Sequence, residues 1–328
     1  MLGHLTRWML DQRIDSVRID SVNTVYNYDF VEGFTAAARE LARQRAVADG
    51  GTADAADARF LVYGEEIDSF PVAELVGRGR LDGLQNERFK TMIRAALLGV
   101  MDWSSPDFAE MVRRMIDCRR LGFTDGAQAV NYVTSHDVGG AGNQRLYNYL
   151  VNNGVPFTEA RIKLAFACLL TAVGIPLILA GEEFADQHDL PHDDVAGKQI
   201  DPVNFERREH PWRRRVFDYV ARLVRLRQQA SALAVNDTAF LHQDFTDDRR
   251  IVVWRRGGPK QDPVVVVANF SDWGSDPTSE YVVPNWPATP PGRSWREVTQ
   301  DRTVPADWIG REPLYPWEAK VYTLEPTG

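Results

Sequence analysis

Two opposite charges stand two residues apart in the stretch SVRIDSV, Arg18 and Asp20. In a β-strand alternate side chains share a face, so Arg18 and Asp20 point one way and Val17 and Ile19 the other. Against an ordinary core such a pair would at best break even with its own desolvation. It is therefore a structural ion pair at a solvated strand end, or part of a working site. Two further acidic positions fall at the same kind of place. Glu65 or Glu66 closes the apolar run RFLVYGEE, and His136 and Asp137 follow NYVTS. Carboxylates at the ends of several parallel strands, with an arginine and a histidine among them, match the way an α/β barrel assembles an active site at its carboxyl-terminal face.

The elements that must carry these residues alternate short apolar runs with helical patterns over residues 1–232, the signature of βα units and a parallel sheet. Strands are expected near 15–20, 60–65, 81–85, 128–134 and 175–180, with helices near 29–47, 87–98, 107–120, 158–173 and 212–230. Thr158 reads as an N-cap and Gly174 as the C′ residue of the fourth helix. DGGTADAADA (49–58) reads as a surface insertion, and the polar segment 181–211 is too long for a bare connector. From residue 233 to 328 the pattern changes to β-branched runs between turns: RIVVWRR, PVVVVANFS, EYVVP, SWREVT and AKVYTL. These predict a small antiparallel β domain.

Three of these stretches, SVRIDSV, LVYGEEI and NYVTSHD, resemble in order the three later signature motifs of the α-amylase family of glycoside hydrolases. GIPLILAGEEF resembles that family's last barrel strand. The resemblance implies an α/β fold, a partial TIM (β/α)8 barrel holding the equivalents of strands 4 to 8, followed by a small antiparallel β-sandwich domain. It implies a retaining hydrolase or transferase at α-glucosidic bonds, which needs a nucleophilic carboxylate and a protonated carboxyl on either side of the sugar carbon. Asp20 matches the nucleophile, held ionised by Arg18. Glu65 matches the general acid/base, with Glu66 beside it, and Asp137 the third carboxylate. His136 would hydrogen-bond the same sugar. The implied partner is an α-glucan of starch, glycogen or pullulan type. LDGLQNERFKTMIR looks more like the debranching, pullulanase-like branch.

Two departures accompany the resemblance. Thr24 stands where α-amylases often carry a histidine, four residues after the nucleophile. The family's first motif has no counterpart, because a whole barrel needs eight strand–helix units and five are legible here. Three explanations compete: a truncated reading frame, a fragment of a longer protein, or a half-barrel completed by another chain. A carbohydrate-binding relative without catalysis is the alternative function. The usual calcium site of the family would lie largely outside this chain, so no metal residue is assigned.

The remaining features set bounds. A net charge of −8, with no run of Lys or Arg, gives no footprint for a phosphate backbone. The longest apolar stretch, LAFACLLTAVGIPLILAG, is interrupted by Gly174 and Pro176, so no membrane span is expected. The first ten residues do not resemble a secretory signal, and Cys118 and Cys168 fall in expected helices as free thiols, which leans slightly to the cytoplasm. His188 and His192 have a spacing reminiscent of metal ligands but lack a third, and an exposed acidic loop accounts for them. Tyr26, Tyr28, Trp103 and Trp212 are either sugar platforms or ordinary packing.

Overall fold

The structure, a computed structural model, describes residues 2–65, 72–137, 144–190, 194, 197, 201–275 and 279–327. The first half is built from α1 (Leu2–Leu10), β1 (Ser16–Ile19), α2 (Tyr28–Ala48), α3 (Ala53–Asp57), β2 (Leu61–Glu65), α4 (Val72–Leu75), β3 (Gly83–Asn86), α5 (Glu87–Leu98), α6 (Phe108–Ile116) and β4 (Ala129–Tyr132). It continues through α7 (Leu146–Asn152), α8 (Thr158–Thr171), β5 (Ile175–Leu177) and α9 (Pro211–Gln229). The five strands pair in parallel, in sequential order. Ile19, Gly64, Leu84 and Ala129 lie level across β1 to β4. Among the described residues β1 and β5 each pair with one strand only. Burial follows: β3 is buried throughout, whereas Ile175 on β5 is 43% exposed.

Local chemistry starts and stops the helices. The side chains of Asn27, Asn86 and Asp107 accept first-turn N–H groups from Phe30, Phe89 and Glu110, and Gly99, with φ +74°, ends α5 in the left-handed conformation that glycine adopts without strain. The termini of α8 differ from expectation. Thr158 is its first residue, not its cap; the cap position is Phe157, which is left-handed and offers no side-chain acceptor. Gly174 is not a C′ residue, since the helix ends at Thr171 with extended Ala172. It is glycine because an added Cβ would lie 2.2 Å from Asn131 Nδ2.

The second half holds β6 (Thr238–Asp244), β7 (Ile251–Arg256), β8 (Val264–Asn269), β9 (Arg293–Glu297), β10 (Arg302–Thr303) and β11 (Ala319–Pro326). All six form one antiparallel sheet, ordered β10-β9-β11-β8-β7-β6, and not a sandwich. One face, with Val252, Trp254, Val264, Val266 and Val321, packs into the core that contains α5, α6, α8 and α9. The other face, with Val253, Val265, Trp295 and Tyr322, is covered by irregular chain carrying Tyr281, Val283 and Leu314. Burial on both faces made the valine runs read as sandwich strands, but the layers covering the sheet are helices on one side and loop on the other. EYVVP shows why. Tyr281 and Val283 point inward with Val282 outward, as in a strand, yet their N–H groups bond Glu312 O and Gly310 O in irregular chain. Fully burying a valine is worth about 1.5–3 kcal/mol, so this two-sided packing anchors the sheet strongly. Strand β6 and helix α7 were not anticipated, and a short helix, α3, lies within the insertion at 49–58.

Among the described residues no helix is long and apolar enough to cross a membrane. Cys118 and Cys168 are both free and buried; burial pushes the Cys118 thiol up to about 12 and the Cys168 thiol higher still. Cys118 opens a 3-10 turn beyond α6 instead of lying inside the helix.

Candidate active site

Asp20 directly follows β1, Glu65 is the last residue of β2, and Asp137 lies five residues beyond β4. All three are therefore at the carboxyl ends of parallel strands of one sheet, Asp20 and Glu65 on neighbouring strands and Asp137 two strands further on. Arg18 gathers them: its Nη1 lies 3.0 Å from Asp20 Oδ1, and its Nη2 lies 2.8 Å from Glu65 Oε1 and 4.0 Å from Asp137 Oδ2. Its Nε donates to Gln85 Oε1 at 3.1 Å. His136 Nε2 sits 3.4 Å from Asp137 Oδ1, and Ser135 Oγ is 3.3 Å from Asp137 Oδ2. One guanidinium thus stands among three carboxylates, with an imidazole at the edge.

The three acids are not equivalent. The Glu65 side chain is 12% exposed, against 77% for Asp20 and 49% for Asp137. Desolvation raises the Glu65 carboxyl above its ordinary value. The Ser21 N–H, bonded to Glu65 Oε2 at 3.0 Å, and Arg18 pull it down, while the nearby Asp20 and Asp137 carboxylates push it up. The net shift is upward, the direction that suits a general acid.

The backbone beneath is shaped to hold this arrangement. A Cβ on Gly64 would lie 2.4 Å from Val22 Cγ1 and 3.0 Å from Leu81 Cδ1 and Leu84 Cδ2, so only glycine lets Glu65 follow on a close-packed strand. Ser21 has φ 42°, a left-handed conformation for a non-glycine residue that turns its N–H to Glu65. Thr24 donates from Oγ1 to Ser21 O at 2.8 Å and pins this turn. Beyond β4, buried Arg94 donates from Nε to Val133 O and from Nη2 to Thr134 Oγ1 and Gln144 O. It thereby ties together both stems of the segment that bears His136 and Asp137.

Gln85 and Ser21 are the partners that sequence reasoning missed. Gln85 is a buried neutral amide in a short strand, and Ser21 acts through its backbone; neither carries a charge to mark it. Glu66 and His192 lie outside the described residues. His188 Nδ1 is 3.2 Å from Asp201 Oδ2. Among the described residues no group of three or more His, Cys, Asp or Glu is placed to hold a metal ion. Tyr26, 88% exposed, follows the Asp20 turn; Trp212 stacks on Tyr147 at 5.7 Å with Arg213 over it, which is packing.

The fold is similar to that of α-amylases and pullulanases among solved structures. The chain matches an Anoxybacillus α-amylase with TM-score 0.71 at 19% identity, covering 100% of this chain and 62% of that one. It matches the Geobacillus thermoleovorans α-amylase, solved with acarbose, with TM-score 0.66 at 20% identity, covering 100% and 63%. An Anoxybacillus pullulanase solved with maltotetraose matches with TM-score 0.67 at 16% identity, covering 98% and 45%. The chain therefore spans about three fifths of these α-amylases and less than half of the pullulanase. No protein-family model matches the sequence, and no curated protein matches it.

Proposed function

We propose that this chain carries the catalytic face of a retaining glycoside hydrolase acting on α-glucosidic bonds of starch, glycogen or pullulan-type glucans. Residues 1–232 supply the equivalents of strands 4 to 8 of a (β/α)8 barrel, and residues 233–328 form the β domain behind it. The observation that carries the reading is the Arg18 guanidinium within 4.0 Å of Asp20, Glu65 and Asp137 at the carboxyl ends of β1, β2 and β4. Asp20 attacks the anomeric carbon, while Glu65 protonates the departing glycosidic oxygen. A glycosyl ester forms on Asp20 as the C–O bond to the leaving sugar breaks. Glu65, now ionised, takes a proton from water, which attacks the same carbon and releases Asp20. Asp137 and His136 bind sugar hydroxyls and favour the positively charged transition state.

Release of reducing ends from maltoheptaose and from pullulan, measured for the chain and for its Asp20→Asn and Glu65→Gln variants, tests the reading. Loss of turnover in both variants with glucan binding retained supports it, and turnover kept by Asp20→Asn removes the nucleophile assignment. A binding relative without catalysis is favoured by one observation, that among the described residues β1 pairs on one side only, next to a largely exposed Asp20. Binding by the unmodified chain without any reducing-end release decides for it.

A further inference from the structure

The three nitrogens of the Arg18 guanidinium all face acceptors, but they are not held equally. Nε donates to Gln85 Oε1 at 3.1 Å and Nη1 donates to Asp20 Oδ1 at 3.0 Å, both with hydrogen-bond geometry. Nη2 stands 2.8 Å from Glu65 Oε1 as an ion pair, out of line for a hydrogen bond. Such a pair attracts without fixing direction. The plane of the guanidinium is therefore set by its two directional bonds. One of them ends on Asp20, a carboxylate that is 77% exposed in the turn after β1. The other ends on Gln85, which is 2% exposed. Of the two anchors, the amide is the fixed one.

The fold holds Gln85 firmly. Strand β3 is the middle one of five, bonded to β2 on one side and β4 on the other, and all four of its residues are buried. The next residue, Asn86, donates from Nδ2 to Asn131 Oδ1 at 2.8 Å and accepts the Phe89 N–H at 3.3 Å, which ties the strand end to β4 and to α5. A Cβ on Gly83 would lie 2.6 Å from Gln128 O, so β3 is also pressed against the chain entering β4. Arg18 is level with Tyr63 and Tyr63 with Gly83, while Gln85 is level with Glu65. The Arg18 side chain thus reaches across β2 to an acceptor two residues further along β3, with Glu65 beside its path. The type of residue matters as well as its place. The charged groups that bear on Glu65 are Arg18 of β1, Asp20 in the turn after it and Asp137 beyond β4, and β3 brings an amide. A carboxylate at this position would set a further negative charge beside the acid, whereas glutamine accepts from Arg18 and adds none.

We infer that Gln85 is a positioning residue, which fixes the plane of the Arg18 guanidinium and so holds its charge against Glu65 and Asp20. Its consequence for turnover rests on the catalytic reading above, and the positioning itself is read without turnover. The full chain, with glutamate labelled at the side-chain carboxyl carbon, is titrated by NMR, the Glu65 signal being assigned by its loss in Glu65→Gln. Rates on maltoheptaose give kcat and KM. Gln85→Met keeps the length of the side chain and removes the acceptor. With Arg18 no longer held, the Glu65 midpoint should rise by roughly one unit. The value of kcat should fall about tenfold, the scale of one hydrogen bond to a charged group, with KM changed less than about twofold because Asp137 and His136 are untouched. With Arg18→Met already in place, the same substitution should move neither quantity further, since the two residues act through one bond. Circular dichroism checks each fold, and Gln85→Asn, whose amide falls one methylene short of Arg18, carries the same expectations should the methionine variant not fold. A midpoint unchanged by loss of the acceptor, or a shift just as large once Arg18 is replaced, overturns the role and leaves Gln85 as packing. A shift that requires Arg18, in a chain that turns over no maltoheptaose, keeps the positioning and removes the catalytic reading.

Discussion

Arg18 Nη2 lies 2.8 Å from Glu65 Oε1, bridging β1 to β2 at the end of the sheet where Asp20 leaves β1. The same guanidinium holds Asp20, so one cation serves two carboxylates of different burial, Asp20 largely exposed and Glu65 largely desolvated. Two acids in such different surroundings suit the two roles of the proposed double displacement.

The pH profile follows from it. Glu65 must be protonated to start the cycle and its carboxyl is raised by burial, so activity is expected to fall as pH rises through a value above 4.5, its ordinary one. Arg18 lowers Glu65, so Arg18→Met moves that basic limb to still higher pH while reducing kcat. Initial rates on maltoheptaose between pH 4 and pH 9 read both effects. A basic limb that moves downward in the variant contradicts the arrangement.

Packing under the site makes a second prediction. In Gly64→Ala the new methyl meets Val22 at 2.4 Å, and overpacking of this kind costs about 1–3 kcal/mol. The variant should melt a few degrees lower and lose activity, because Glu65 follows directly on the displaced strand. Adding Val22→Ala makes room, and the double variant should regain part of both losses. Calorimetry of the four chains gives the coupling; additive losses would show that the two residues do not collide.

Buried Glu182 makes stability itself depend on pH. It accepts from Arg145 Nη1 and Leu146 N, both at 3.3 Å, and burial raises its carboxyl from 4.5 to about 7. The folded chain therefore binds a proton more tightly than the unfolded one, and its contribution is complete below about pH 4.5 and is lost as pH rises through 7. The difference amounts to roughly 3 kcal/mol between those limits. Urea unfolding at pH 5 and pH 7.5 should show it, and Glu182→Gln should flatten the slope. A slope unchanged in the variant would assign the dependence to other groups.

Much of the sheet was legible because parallel strands leave short apolar runs, and the charges at their ends broke that pattern at Asp20, Glu65 and Asp137. Arg18 stood out for the same reason, as a charge on an apolar strand. Gln85 gave no such signal: a neutral amide at a strand end reads as a turn residue until Arg18 is seen bonded to it. Phe157 was hidden for a different reason. Thr158 has the chemistry of a cap, but the chain enters α8 through a left-handed aromatic residue, which no local sequence preference marks. The valine runs told of burial on both faces, and nothing in them could say whether helix, loop or a second sheet does the covering.

The central claim is that Asp20 forms a bond to the sugar while Glu65 moves the proton. Incubation with 5-fluoro-α-maltosyl fluoride, followed by proteolysis and mass spectrometry, tests it most directly, since the fluorine slows hydrolysis of the ester and fluoride departs without an acid. A glycosyl adduct on the peptide containing Asp20, absent in Asp20→Asn and still formed in Glu65→Gln, is the expected result. An adduct on another carboxylate, or turnover of the reagent with Asp20 replaced, would contradict the account.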